Sequence, residues 1–176
     1  VTFLGRIAPE KSINLLIEAM VDISKCNPNI CLMIVGEGPQ FEELKELVLQ
    51  YHLEDYVFFT GAKKKEEVPS YYHISDIFVS ASITETQGLT FIEAMASGVP
   101  VLARYDKNLE GVILDGRNGY FFDDKDDLVN KILELSSQDL SLLANNAVED
   151  AMQYSSENFY KKIMVVYQKA LSKHHY

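Results

Sequence analysis

Three short apolar runs, 1–5, 30–35 and 57–60, each end at or just before a glycine: Gly5, Gly36 and Gly61. A continuous apolar run of this length suits a strand covered on both faces. Between the runs, apolar residues recur at helical spacing. Ile13, Leu16, Ile17, Met20 and Ile23 predict a helix over about 12–24 with Ser12 as its cap, and Phe41, Leu44, Leu47 and Val48 line one side of a second. The alternation continues with a short helix or turn at 68–74, a strand at 77–80, a helix at 89–96 ended by Gly98-Val99-Pro100, and strands at 101–103 and 120–122. Strands and helices joined this closely predict an α/β fold, a parallel sheet with helices on both faces. Helices are predicted over 126–135, 141–152 and 157–172, the last with an apolar stripe of Phe159, Ile163, Val166, Tyr167 and Ala170. No linker rich in Gly, Pro or Ser interrupts the pattern, so residues 1–176 read as one domain.

Charge narrows the function. The 176 residues carry a net charge of -10, which argues against nucleic acid as a partner and against docking on anionic lipid by charge alone. No apolar run reaches the roughly 20 residues that a membrane-spanning helix needs. The chain opens directly on a core strand with no initiator Met, and is expected to be a domain of a longer protein. Cys26 and Cys31 lack a matching Cys/His pair, so they read as reduced thiols rather than a zinc site. His52, His73, His174 and His175 have no triad or metal spacing around them.

In a parallel sheet, ligands bind beyond the carboxyl ends of the strands. Gly5, Gly36, Gly61 and the loop before Glu85 all fall at such ends. Glu85-Thr86-Gln87-Gly88-Leu89-Thr90-Phe91-Ile92-Glu93 puts one carboxylate in that loop, a glycine at a helix mouth and a second carboxylate inside the helix. Unpaired N–H groups and the helix dipole make such a mouth an anion site, with Gly88 and Leu89 offering backbone donors. Flanking carboxylates suit a ligand with hydroxyls on either side of a phosphate, as in a nucleotide sugar. The competing reading gives Glu85 and Glu93 a helix-dipole role. Arg6 and Lys11 lie at a strand-to-helix junction, where they can neutralise a diphosphate; the alternative is two solvated cations with Glu10 as local partner. Lys63-Lys64-Lys65 reads either as a phosphate hook or as a solvated loop. Gly36-Glu37-Gly38 is half of a dinucleotide fingerprint, with Phe41 where the third glycine would stand, and so speaks weakly for NAD.

In their order and spacing these motifs resemble the nucleotide-sugar-binding half of a GT-B glycosyltransferase of family 4, the group 1 glycosyltransferases. The pieces are Gly5-Arg6-x-x-x-Glu10-Lys11, Ile34-Val35-Gly36-Glu37-Gly38-Pro39, Val57-Phe58-Phe59-Thr60-Gly61, the stretch from Glu85 to Val101, and Asn118-Gly119-Tyr120. The resemblance implies a Rossmann-like domain, the C-terminal half of GT-B. Arg6 and Lys11 match the family's diphosphate-binding cations. Glu85 matches the first glutamate of the E-x7-E motif, which contacts the donor sugar, and Glu93 the second, which holds the ribose hydroxyls. Gly88 and Leu89 match the backbone that meets phosphate or sugar, and Gly61 to Lys63 the place where the base packs. Two positions depart from the family: Ser12 where Gly is common, and Gln87 where Phe is common, a change that alters sugar contacts.

The wording around Gln87 is similar to bacterial enzymes that move glucose from UDP-glucose to diacylglycerol. The resemblance thus implies a retaining transferase moving a hexose from a UDP-sugar to a glycolipid or polysaccharide. Glu85, Arg6 and Lys11 would be its catalytic groups. No cofactor or metal is expected, because the cations replace one and Asp124-Lys125-Asp126 sits at a helix start. The family's acceptor site and a catalytic histidine belong to an N-terminal domain that this chain lacks, and its last helix crosses back to that domain. The implied location is cytoplasmic, with the inner face of the cell membrane also open to the full-length protein. The rival readings are a non-catalytic nucleotide-binding domain, a UDP-N-acetylglucosamine epimerase-like enzyme, and an interaction module that binds no nucleotide sugar.

Overall fold

β1 (Thr2–Leu4), β2 (Leu32–Val35), β3 (Val57–Gly61), β4 (Phe78–Ser80), β5 (Val101–Arg104) and β6 (Gly119–Phe122) pair in parallel in the order β3-β2-β1-β4-β5-β6. This is the doubly wound, Rossmann-like arrangement expected from the alternation. The computed structural model describes residues 1–172; His174 and His175 lie outside the described residues. The helices are α1 (Ile13–Cys26), α2 (Phe41–Gln50), α3 (Val68–His73), α4 (Leu89–Ala96), α5 (Lys125–Ser136), α6 (Ser141–Ala151) and α7 (Ser156–Ser172).

The strands at the centre of the sheet bury both of their faces, since successive side chains point to opposite sides, whereas the edge strand β3 leaves Phe58 exposed. Val79 and Leu102 join one core with Ile17 of α1, Leu44 of α2 and Ile132 of α5. Their neighbours Phe78 and Ala103 join the other, with Tyr72 of α3, Phe91 of α4 and Ala147 of α6. An ion pair fastens α5 to α1, with Lys125 Nζ 2.7 Å from Asp22 Oδ2. That hydrogen bond holds the Asp22 carboxyl below its ordinary range.

The loops at the carboxyl ends are laced to one another. Gly5 N–H donates to the Val35 carbonyl at 3.0 Å, Ile7 N–H to the Glu37 carbonyl at 2.9 Å and Gly36 N–H to the Gly61 carbonyl at 3.1 Å. A side chain at Gly36 would run into the Gly5 carbonyl, and one at Gly38 into the Ile7 carbonyl. The half fingerprint is therefore explained by close backbone approach between two loops.

Two expectations change. Ser12 does precede α1, but its side chain makes no capping hydrogen bond, because its backbone is left-handed at φ 47 and ψ 42. The turn Pro9–Lys11 before it sets this conformation, and the cap geometry needs an extended residue instead. His52 is likewise left-handed at φ 55, ending α2 while Leu53 N–H donates to the Val48 carbonyl at 3.0 Å. Its role there is in a turn. On α7 the exposure extends beyond the expected stripe: Phe159 and Val166 are exposed, and so are Tyr160 and Leu171.

Left-handed backbone costs a residue with a Cβ about 1–2 kcal/mol, and the freedom of glycine in the unfolded chain returns part of that. Ser12→Gly is therefore expected to stabilise the chain by about 0.5–1 kcal/mol and raise Tm by about 1–3 °C. A thermal melt showing a lower Tm would contradict the assignment of strain to this position.

Candidate functional site

The chain turns away from β1 towards β2 on one side, and away from β4 towards β5 on the other. A crevice opens between such strands at their carboxyl ends. The loop after β1 carries Arg6 and Lys11, and the loop after β4 carries Ser82 and Glu85. Across the crevice, Lys11 Nζ lies 2.8 Å from Glu85 Oε1, and this pair is mostly shielded, with side-chain exposures of 23% and 10%. Lys11 Nζ also donates to Ser82 Oγ at 3.3 Å. Ser82 Oγ lies 3.1 Å from the Thr84 carbonyl and 3.4 Å from the Glu10 carbonyl, and Ile83 N–H donates to Glu10 O at 3.1 Å. The partner of Lys11 is thus Glu85, 74 residues away, rather than the adjacent Glu10.

A cleft of about 270 Å³ opens at the same sheet edge, at the ends of β1, β2 and β3, lined by Gly5, Arg6, Gly36, Glu37, Ala62 and Lys63 among others. Arg6 is exposed, and among the described residues no carboxylate forms an ion pair with it. Lys63 is half-buried, with its Nζ 5.4 Å from the centre of the Tyr71 ring, whereas Lys64 and Lys65 are exposed. Of the three-lysine run, one member therefore lines the cleft and two follow the solvated-loop reading. Gly61 lies beside Ala62, against the Glu37 carboxylate.

The mouth of α4 follows directly on the loop that carries Glu85. Gly88 precedes the helix at φ 62 and ψ 32, and no side chain caps the first turn. Gly88 itself is buried under Leu109, whose Cδ2 would stand 2.8 Å from an added Cβ. Gln87 and Leu89 direct their side chains to solvent. Glu93 stands beyond the first turn, where no acidic residue falls, so the helix-dipole reading of this glutamate loses its basis. Its Oε2 instead accepts from Tyr72 Oη at 3.2 Å, a hydroxyl that also reaches the Thr90 carbonyl at 3.3 Å. Burial first, and then the Glu93 charge, push the Tyr72 phenol well above its ordinary range, so it stays a neutral donor.

The structure places Lys11 against Glu85, gathers Gly5, Arg6 and Lys63 in one cleft, and sets Gly88 and Leu89 at the helix mouth. Glu93 stands apart from Glu85, on Tyr72. Three contributors escaped the sequence reading: Ser82, Asp106 and Asn108. Asp106 Oδ2 accepts the Glu85 N–H at 2.9 Å, and Asn108 Nδ2 donates to the Glu85 carbonyl at 2.8 Å. The available signal was an Asp followed by a turn just past a strand, a fifth loop at the same sheet edge. Asp124, by contrast, caps α5, its Oδ1 accepting from Asp127 N–H at 2.9 Å. Among the described residues no cluster of three His, Cys, Asp or Glu is placed to hold a metal, and no helix is long and apolar enough to cross a membrane. A larger cavity of about 570 Å³ opens on the opposite sheet edge, lined by Cys31, Asp76, Gln138 and Asp139 among others. It holds none of Arg6, Lys11, Lys63, Glu85, Gly88 and Glu93, and it lies at the ends where parallel strands begin, away from the usual ligand edge.

A doubly wound sheet with cations, a carboxylate and an uncapped helix mouth at its switch point places the chain in the class of Rossmann-like α/β domains. Within that class, the chain belongs to the group 1 glycosyl transferases, whose family model matches residues 1–154. It is 37% identical over 172 residues to the alpha-monoglucosyldiacylglycerol synthase of Acholeplasma laidlawii, covering 97% of this chain and 43% of that protein. It is 35% identical over 168 residues to the synthase of the same name from Streptococcus pneumoniae, covering 96% and 38%. The fold superposes on a TarM mutant of S. aureus in complex with fondaparinux, alpha-GlcNAc-glycerol and UDP, with TM-score 0.86, 30% identity, and coverage of 93% of this chain and 34% of that one. The chain thus spans about two fifths of the length of the curated relatives it matches.

Tyr72→Phe removes the donor to Glu93, with an expected loss of about 1 kcal/mol. A phenol whose pKa is raised by folding contributes stability below the unfolded value of about 10, and that contribution fades as pH rises further. The variant should therefore lose less stability than the parent chain between about pH 9 and pH 11 in denaturant titrations. Identical pH slopes would contradict the Tyr72 environment.

Proposed function

We propose that this chain is the donor-binding domain of a retaining glycosyltransferase that uses a nucleoside-diphosphate sugar, with UDP-glucose the favoured donor and a glycolipid or glycan acceptor. One observation carries this reading: the Lys11–Glu85 pair spans the switch point, with Arg6 of the same β1 loop lining a cleft at that sheet edge. The ion pair holds a phosphate-binding cation and a hydroxyl-binding carboxylate next to each other in advance. On donor binding, Lys11 turns to the diphosphate and Glu85 to the sugar hydroxyls. Arg6 adds a planar fork to the diphosphate, the first N–H groups of α4 add backbone donors, and Glu93 takes the ribose hydroxyls. The cleft between Glu37 and Lys63 takes the base.

When the bond between the sugar's anomeric carbon and the diphosphate oxygen breaks, negative charge grows on the departing diphosphate. Arg6, Lys11 and the α4 mouth face that charge and stabilise it most as the bond opens, so they contribute to rate as well as to affinity. With these cations in place the chemistry needs no resident metal or cofactor. The names of the two curated relatives support a diacylglycerol acceptor and glucose as the sugar. UDP in the TarM complex supports the base. The share of the relatives' length leaves room for a further domain that brings the acceptor, which the family resemblance places N-terminal to this one. The exposed apolar side chains of α7 fit contact with that domain, and a lipid acceptor would put the whole protein at the inner membrane face.

Titration calorimetry of the chain with UDP, GDP and ADP tests the donor site. One diphosphate, UDP on this account, should bind, and Arg6→Ala or Lys11→Ala should weaken it about 10- to 100-fold, the range for a charge-assisted hydrogen bond. Unchanged affinity in the double variant would refute the assignment of the cations. The chain alone should transfer no sugar to diacylglycerol, and robust transfer would refute the need for a second domain.

A further inference from the structure

Resting on the donor-site reading above, we propose that Asp106 and Asn108 are positioning residues for Glu85 and set the sugar contact of the site. The peptide of Glu85 is gripped from both sides. Its N–H donates to Asp106 Oδ2 at 2.9 Å, and its carbonyl accepts from Asn108 Nδ2 at 2.8 Å. The two gripping residues are themselves joined, Asp106 Oδ1 accepting from Asn108 N–H at 2.8 Å as it caps the turn Lys107–Leu109. The same turn supports the other end of the loop, because Leu109 is buried and packs directly under Gly88. One short turn after β5 is thus the template for the whole stretch from Glu85 to Gly88.

The grip matters because, among the described residues, the side chain of Glu85 has one ion-pair partner, Lys11, and the donor's diphosphate takes that partner away. From then on, the direction of the carboxylate depends on its backbone. A carboxylate held to within a fraction of an ångström keeps its sugar hydrogen bond, whereas one on a loose loop does not. Neither Asp106 nor Asn108 has to touch the donor for this effect. The diphosphate is held by Arg6 and Lys11 from the other side of the crevice and by the first N–H groups of α4, none of which Asp106 or Asn108 hydrogen-bonds, so the two halves of the donor report on different residues.

Calorimetry with UDP and with UDP-glucose separates them. Asn108→Ala leaves the charge unchanged at an exposed position. It should keep UDP affinity within about twofold of the parent chain while the ratio of UDP-glucose to UDP affinity falls about fivefold, the loss of one hydrogen bond. Asp106→Ala should act in the same way, and Asp106→Asn, which keeps an acceptor for the Glu85 N–H, should restore most of the ratio. Equal weakening of both ligands, or no change in the ratio, would overturn the positioning role. A parent chain that binds neither ligand would overturn the donor-site reading instead.

Discussion

The reversal of strand order between β1 and β4 is the constraint on which the site depends. Both strands end at the same edge of the sheet, and the chain leaves them in opposite directions. No crossover helix covers the gap, so polar and charged groups can gather there without displacing core. Lys11 and Glu85 meet across it although 74 residues separate them. The close pairing of β1 with β2 serves the same end. Gly36 and Gly38 let the loop after β2 pack against the backbone of the loop after β1, and that packing fixes where Arg6 begins.

Rigidity is distributed unevenly around the crevice. On the β1 side, main-chain hydrogen bonds between neighbouring loops hold Gly5 and Ile7. On the β4 side, the loop from Ser82 to Gly88 lies outside regular structure and is held by one main-chain bond, Ile83 N–H to the Glu10 carbonyl, and by side chains reaching in from elsewhere: Lys11, Asp106 and Asn108. Glu93 is held by a different device, a buried tyrosine whose neutral phenol donates to it. The two glutamates that frame the motif thus have separate supports. A change at one need not disturb the other.

The fold class was legible because each strand is a continuous apolar run and each helix before α7 shows one buried face. The order of the strands was not, since the runs are equally apolar and nothing local says which neighbours which. The motif residues were visible by type and spacing, yet their partners were not. Tyr72 lies 21 residues before Glu93 on a different helix, and Asp106 lies 21 residues after Glu85 in a different loop. Ser12 shows the opposite failure. Its residue type predicts a cap, but the tight turn before it imposes a left-handed backbone that takes its hydroxyl out of reach. Of the lysine run, the resemblance set Lys63 apart, and the fold puts it on the cleft lining while Lys64 and Lys65 are exposed.

The most direct test of the account is a crystal structure of the chain grown with UDP. The account predicts the diphosphate between Arg6, Lys11 and the first N–H groups of α4, with Lys11 Nζ drawn away from its 2.8 Å contact with Glu85. Diphosphate seated instead in the cavity of about 570 Å³ at the opposite edge, beside Cys31 and Asp76, would contradict it.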